Sequence, residues 1–147
     1  MVITMYEGVH NAKERELIDS ITDFVGDRLF PRHIVEITYQ IMPNLEKKEG
    51  IQGDTLWEDS QYKPRDFTIR LQKGYSRENL ITLICHELVH VKQFVKGELQ
   101  HKYNPTKGIY NVFFKNKDVT NWAYMRRPYE KEAYRLQEKL YNEFINI

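Results

Sequence analysis

Cysteine is nearly absent from this chain, and other features that would narrow its class are missing as well. One of the 147 residues is cysteine, so no internal disulfide can form and nothing favours an oxidising compartment. No apolar run approaches the roughly 20 residues that cross a bilayer. The N-terminus also lacks the basic start and long apolar core of a secretory signal. We therefore expect a cytoplasmic protein with no membrane partner.

The length and balance of the chain predict one ordinary domain. The net charge is +1 and the hydrophobic content is 41%, which is typical of a soluble globular protein. A chain of this length can bury a real core without disulfides or structural metals. The sequence contains no internal repeat, low-complexity tract or interdomain linker. We expect residues 1–147 to form a single domain and the protein to be a monomer.

Hydrophobic periodicity predicts an α+β fold. Strict alternation places Phe67, Ile69 and Leu71 on the buried side of a strand. A long helix should precede two strands. In chain order, the predicted elements of the first half are a helix over residues 12–29, a strand over 33–41, an exposed loop over 46–54 and a strand over 66–72.

The second half is predicted to contain an irregular segment between two helices. Helical periodicity is lost for about thirty residues after Gly97, and turn-forming residues interrupt the segment. Two aromatic-rich runs, residues 109–115 and 119–125, predict a hairpin or an irregular flap around residues 116–118. Pro128 then begins a final helix. Its apolar stripe consists of Ala133, Leu136, Leu140 and Phe144.

The most informative motif is His86-Glu87-x-x-His90. In a helix, positions i and i+4 differ by about 40° around the axis and about 6 Å along it, so both imidazoles leave the same face. Zinc binds histidine nitrogen, and a catalytic zinc has three protein ligands and leaves one position for water. Glu87 points about 100° away from His86 and can act as a general base. The motif therefore predicts a metal site and its base together.

The sequence around the motif favours a helix that is buried on most sides. Ser76 is a natural N-cap and Gly97 a natural stop, which predicts one helix over residues 77–96. Its apolar residues are too many to lie on a single stripe, which indicates burial on most sides. Histidines buried there without hydrogen-bond or metal partners would destabilise the fold. Cys85 precedes His86 but points about 100° away from it, so we interpret it as a small buried residue and not as a ligand.

The chain resembles the zincin metallopeptidases. The resemblance depends on His86-Glu87-x-x-His90 together with Glu130-x-x-Ala133 on the closing helix, which is similar to the branch whose third zinc ligand is a downstream glutamate. The element order resembles the smallest zincins, including minigluzincins, SprT-like domains and single-domain phage or archaeal peptidases. The resemblance implies a minimal zincin-like fold with a small, mostly antiparallel sheet, Zn²⁺ as cofactor and a phage gene as one expected source.

Three residues are candidates for the third metal ligand. Helix phase leaves Glu130 and Glu132 symmetric, each about 80° from the apolar stripe. The resemblance favours Glu130, because Ala133 is then the small residue that lets the closing helix approach the metal helix. SprT-like proteins instead use a downstream histidine in a Gly-His-Gly setting, which His101 lacks. Glu130 is therefore our predicted ligand, with Glu132 and His101 as alternatives.

The resemblance implies peptide hydrolysis with Glu87 as the general base. It also implies a peptide or protein substrate lying antiparallel along an edge strand, which we expect to be residues 66–72. Tyr134 occupies the position where related proteins often have an acidic or amide side chain that supports a ligand histidine. Glu87 and Tyr134 are our two candidate catalytic residues. Several residues could stabilise the oxyanion, and the sequence does not distinguish among them. They are Tyr124, Arg126, Arg127, Tyr129 and Tyr134.

Two other functions are consistent with the sequence. Between Lys96 and Arg127, seven basic residues face two acidic ones, with aromatic residues between them, which is a pattern found in nucleic-acid-binding surfaces. A protease acting on DNA-associated proteins would combine both activities, although the nearly neutral chain argues against nucleic acid. The third hypothesis is a metal-binding protein without peptidase activity. The presence of Glu87, the residue expected to act as the base, argues against it.

Overall fold

The fold consists of two sheets and four α-helices. A computed structural model of the chain describes residues 1–9 and 11–147, and the elements named here are those of the described residues. In chain order they are β1 (Val2–Glu7), α1 (Ala12–Leu29), β2 (Val35–Met42), α2 (Leu45–Glu49), β3 (Gly53–Trp57), β4 (Asp66–Gln72), α3 (Arg77–Val95), β5 (Leu99–Asn104), β6 (Ile109–Phe114), β7 (Lys117–Asp118) and α4 (Pro128–Ile145).

The main sheet has the strand order β1-β2-β4-β3 over the described residues. Its β1–β2 and β2–β4 pairings are parallel, and β3 runs antiparallel to β4. The α+β class is confirmed, but the prediction of a mostly antiparallel sheet is wrong for this sheet. It holds for the smaller sheet, β5-β6-β7, in which both pairings are antiparallel. The β1–β2 pairing is parallel because α1 returns the chain to the starting end of the sheet between the two strands.

The core lies between one face of the main sheet and the helices α1 and α3. Alternate residues of β2 and β4 are buried, as the sequence pattern predicted for β4. Ile37 pairs with Phe67, and both side chains are fully buried. Tyr39 is also buried, and its hydroxyl lies 2.6 Å from the hydroxyl of Thr22 on α1. This polar contact satisfies two hydroxyls inside an otherwise apolar layer.

Helix α3 passes through the centre of the molecule. Ser76 caps its first turn by accepting a hydrogen bond from the Asn79 amide at 3.2 Å. Just beyond its last turn, Gly97 has φ +73°, a left-handed conformation that glycine adopts without steric cost. Cys85 is fully buried, as predicted, and burial raises the pKa of its thiol to about 12. Cys85 is also not part of the group of side chains whose ligand atoms converge, which is consistent with a packing role.

Helix α4 packs against α3 through the predicted apolar stripe. Pro128 occupies the first turn, where a missing N–H is tolerated. Ala133 is fully buried, and Leu140 and Phe144 lie nearly so. Phe144 also meets Phe24 of α1 edge to face at 5.4 Å between ring centroids. Packing against both helices fixes the rotation of α4, and therefore the direction in which its polar side chains point.

Several predicted elements need correction. Residues 46–54 are largely exposed, as predicted, but they are not one loop, because they include most of α2 and the start of β3. Residues 66–72 are not an edge strand, because β4 lies between β2 and β3. The main hairpin is β5–β6, so residues 116–118 lie at a second, smaller turn and not at its tip.

Strand β3 has one neighbour among the described strands and contacts α3 on its inner side.

Over the described residues, no helix is both long and apolar enough to cross a membrane.

Close packing at Ala133 makes a prediction about stability. Ala133→Leu should lower the free energy of unfolding by about 1–3 kcal/mol, because a larger side chain must displace α4 from α3. Lys139→Leu, on the exposed side of the same helix, should change it by less than about 0.5 kcal/mol. Urea denaturation of both variants checks this, and equal midpoints would contradict the packing argument.

Candidate metal centre and cleft

His86, His90 and Glu130 converge at one point between α3 and α4. The two Nε2 atoms are 3.2 Å apart, and Oε1 of Glu130 lies 3.1 Å from that of His86 and 3.0 Å from that of His90. The two histidines are each 7% exposed. Over the described part of the chain, this is the group of histidine, cysteine and acidic side chains whose ligand atoms are close enough to hold a metal ion.

The glutamine side chains that hold the two imidazoles determine which ring nitrogens carry protons. Gln93 donates its amide N–H groups to the Tyr129 carbonyl at 2.9 Å and to Glu132 at 3.0 Å. Its amide oxygen therefore faces Nδ1 of His90, 2.8 Å away, and must accept a hydrogen bond from an N–H at that nitrogen. Nε2 of a neutral His90 is then an unprotonated nitrogen that points at Glu130.

His86 is held in the same way by α4. Its Nδ1 lies 2.8 Å from the amide oxygen of Gln137, two helical turns beyond Glu130. A proton on Nδ1 leaves the Nε2 lone pair directed at the same point as that of His90. Two nitrogen lone pairs and a carboxylate oxygen therefore meet, and they repel one another unless a positive charge lies between them.

The pKa values show how strongly this cluster attracts positive charge. Burial disfavours the protonated His90 ring, but the hydrogen bond to Glu130 and the charge of Glu87 outweigh it and raise the pKa of His90 to about 9. Burial likewise disfavours the ionised Glu130, but the hydrogen bonds from His86 and His90 lower its pKa to about 2. The cluster therefore stabilises a cation, either a proton or a metal ion.

Glu87 lies beside the cluster and points into the cleft. Its side chain is 3% exposed, and burial raises its pKa, although the two imidazoles and a hydrogen bond from Thr55 act in the opposite direction. The Thr55 hydroxyl on β3 lies 3.0 Å from Oε1 of Glu87. Strand β3 therefore fixes the carboxylate from the side opposite to α4.

A cleft of about 950 Å³ opens over the cluster. Residues 50–55, which include the start of β3, form one wall, and α3 forms the floor. Residues from β5, from the short 3-10 helix Tyr124–Arg126 and from α4 form most of the rest. The cleft follows α3 from Asn79 to Phe94, about 22 Å at 1.5 Å per residue. This length suits an extended chain of several residues.

The alternative ligand residues lie away from the cluster. Glu132 forms an ion pair with Lys92 at 3.0 Å and accepts a hydrogen bond from Gln93. His101 lines the cleft, but its Nδ1 accepts a hydrogen bond from the indole N–H of Trp57 at 3.1 Å. Burial, followed by the charge of His90, lowers the pKa of His101.

The predicted catalytic Tyr134 lies at the rim of the cleft. Its ring meets that of His86 edge to face at 4.7 Å between centroids, and its hydroxyl lies 3.0 Å from that of Tyr124. Burial is the main cause of a raised pKa at Tyr124, so this phenol stays protonated and can donate a hydrogen bond. The candidate oxyanion donors that line the cleft are Tyr124, Arg127, Tyr129 and Tyr134; Arg126 does not line it.

Several basic side chains of residues 96–127 lie over aromatic rings. The Lys102 ammonium is 4.8 Å from the centroid of Phe113, and that of Lys117 is 4.7 Å from the centroid of Trp122. These contacts are cation–π pairs within the second sheet and its flanking turn. A nucleic-acid surface in this segment stays a prediction.

Gln93, Gln137 and Thr55 contact the site residues but were not predicted from the sequence. A local signal existed for the two glutamines, because Gln93 is three residues after His90 and Gln137 is seven after Glu130, both of which are same-face spacings in a helix. No local signal existed for Thr55, which reaches Glu87 from a strand 32 residues earlier.

Comparison with known proteins adds no relative to this picture. No family model matches the chain, and searches of curated proteins and of solved structures found no match.

Proposed function

We propose that this protein is a zinc-dependent metallopeptidase of the zincin type, with His86, His90 and Glu130 as zinc ligands and Glu87 as the general base. The observation that carries the proposal is the meeting of His86 Nε2, His90 Nε2 and Glu130 Oε1 within 3.2 Å of one another, beside a buried carboxylate in an open cleft.

The donor set fits zinc. Two imidazole nitrogens and one carboxylate oxygen form a set found in catalytic zinc sites. Ligand atoms around a tetrahedral zinc with bonds of about 2.0–2.1 Å lie about 3.3 Å apart, close to the separations of 3.0–3.2 Å observed here. The hydrogen bonds that His90 and His86 donate to the amide oxygens of Gln93 and Gln137 would hold both imidazoles in the tautomer that a metal requires. When bound, zinc acidifies a water molecule and polarises a carbonyl.

Glu87 is suited to proton transfer. Its carboxylate is buried, and burial raises its pKa above that of an exposed glutamate, so it binds a proton more readily than a solvated carboxylate does. The Thr55 hydrogen bond holds it beside the cluster but outside the ligand set. In the proposed reaction Glu87 takes a proton from the attacking water and gives it to the leaving amine, while the Tyr124 and Tyr134 hydroxyls are available to the oxyanion.

Strand β3 is the proposed platform for the substrate. It is an edge of the main sheet, and residues 53–55 line the cleft beside Glu87. An extended peptide could pair with its free backbone groups and add a further strand. This replaces β4, whose two neighbours already use its backbone hydrogen bonds.

Zinc content distinguishes Glu130 from the alternative ligands. Glu130→Ala should lose most of the zinc that the wild-type protein binds, because one of three ligands is removed. Glu132→Ala should keep its zinc, although it breaks the ion pair with Lys92. His101→Ala should keep it as well. Elemental analysis after zinc-replete expression measures all three, and zinc loss in Glu132→Ala or His101→Ala alone would reassign the ligand.

Glu87→Gln separates binding from chemistry. The amide preserves the shape of the side chain but accepts no proton, so zinc should stay while hydrolysis of fluorescein-labelled casein falls by at least about 10²-fold. Glu78→Gln, an exposed change on the same helix, is the matched control and should hydrolyse casein at the wild-type rate.

The outcomes of this experiment separate the hypotheses. Retained hydrolysis in Glu87→Gln would show that the base lies elsewhere. Bound zinc without hydrolysis of casein or of a peptide library by the wild-type protein would favour a metal-binding protein that is not a peptidase.

A further inference from the structure

His101 is a third histidine that lines the cleft, and it lies outside the metal cluster. It lies on β5, on the face shared with the buried Leu99. Its ring meets that of Phe94 edge to face at 5.1 Å between centroids. Trp57, the last residue of β3, donates its indole N–H to Nδ1 of His101 at 3.1 Å. Two aromatic side chains therefore hold this imidazole in one orientation.

The Trp57 contact decides which nitrogen of His101 carries the proton. An indole N–H only donates, so Nδ1 must be the unprotonated nitrogen. The proton of the neutral ring is then on Nε2. Among the described residues Nε2 has no hydrogen-bond partner, and it is not one of their fully buried unpartnered atoms, so part of its surface is exposed. Because the ring lines the cleft, this N–H is accessible from the cleft.

In this protonation state His101 is a poor metal ligand. Its Nδ1 lone pair is engaged by Trp57, and Nε2 carries a proton, so neither nitrogen offers a lone pair to a metal. What remains is one neutral, oriented donor in a wall that Phe94 and Leu99 make apolar. Isolated polar groups in such walls fix the orientation of a ligand.

We propose that His101 is a substrate-binding residue whose Nε2–H donates to a backbone carbonyl of an extended peptide, and that Trp57 is the positioning residue that holds His101 in the required tautomer. The proposal rests on the proposed function, since it names a contact of the same cleft. The carbonyl belongs to the part of the peptide that lies towards the end of β3, where Trp57 stands.

The first experiment uses a quenched fluorescent peptide that spans a bond cleaved by the wild-type protein in casein. His101→Leu removes the donor and should raise KM roughly 3- to 10-fold, the range for one neutral hydrogen bond, with kcat little changed. His101→Gln places an amide N–H near the position of Nε2 and should recover most of the lost affinity. Zinc content should be unchanged in both variants.

The second experiment tests Trp57. Trp57→Phe keeps an aromatic ring but loses the indole N–H, so the imidazole can adopt both tautomers, and KM should rise roughly 2- to 3-fold. In a His101→Gln background the same change should have no further effect, because an amide has no tautomer to fix. Trp122→Phe, away from the cleft, is the matched control and should leave KM unchanged.

Nitrogen-15 NMR of the imidazole provides a readout independent of activity. The zinc-loaded wild-type protein should show His101 protonated at Nε2, and Trp57→Phe should show a mixture of tautomers. A proton on Nδ1 in the wild-type protein would overturn the proposal.

The kinetic outcomes separate this proposal from the proposed function. A wild-type KM in His101→Leu, or a fall in kcat with unchanged KM, would overturn the substrate-binding role and leave the peptidase function intact. Loss of zinc in His101→Leu would also overturn it. A zinc-loaded wild-type protein that cleaves neither casein nor peptides would overturn both proposals.

Discussion

Repulsion among electron-rich atoms is the constraint on which the rest of the structure depends. Two imidazole nitrogens and a carboxylate oxygen point at each other inside a largely buried space, and only a cation reconciles them. Such an arrangement does not form from α3 alone. It needs α4 packed at one rotation through Ala133, and it needs Gln93 and Gln137 to turn both rings inwards. Much of the packing between α3 and α4 serves this convergence.

The parts of the fold that are determined locally could be predicted from the sequence. The bounds of α1 and α3 follow from apolar spacing and from the residues at their ends, and Ala12–Leu29 and Arg77–Val95 match the predicted ranges to within one residue. The α+β class and the buried face of β4 also follow from periodicity. His86 and His90 lie four residues apart in one helix, so their spacing alone predicts that the two rings share a face.

What the sequence could not determine depends on contacts between distant segments. The strands β1 and β3 were missed because sheet pairing is set by tertiary neighbours and not by local pattern. Helix phase left Glu130 and Glu132 equivalent. Lys92 and Gln93 of α3 bind Glu132, and this removes the ambiguity by leaving Glu130 to face the histidines. No spacing rule predicts such a choice, since both partners lie about 40 residues earlier in the chain.

The division of the cluster between α3 and α4 has a consequence for the order of synthesis. His86 and Glu130 are separated by 44 residues, so a ribosome completes the histidine pair well before the carboxylate that joins it. A nascent chain at that stage has two of the three side chains of the cluster, and α3 has no α4 to cover its outer side. If the proposed chemistry holds, the emerging polypeptide has no proteolytic activity against itself or against neighbouring proteins until residues 128–137 have left the exit tunnel and packed against α3.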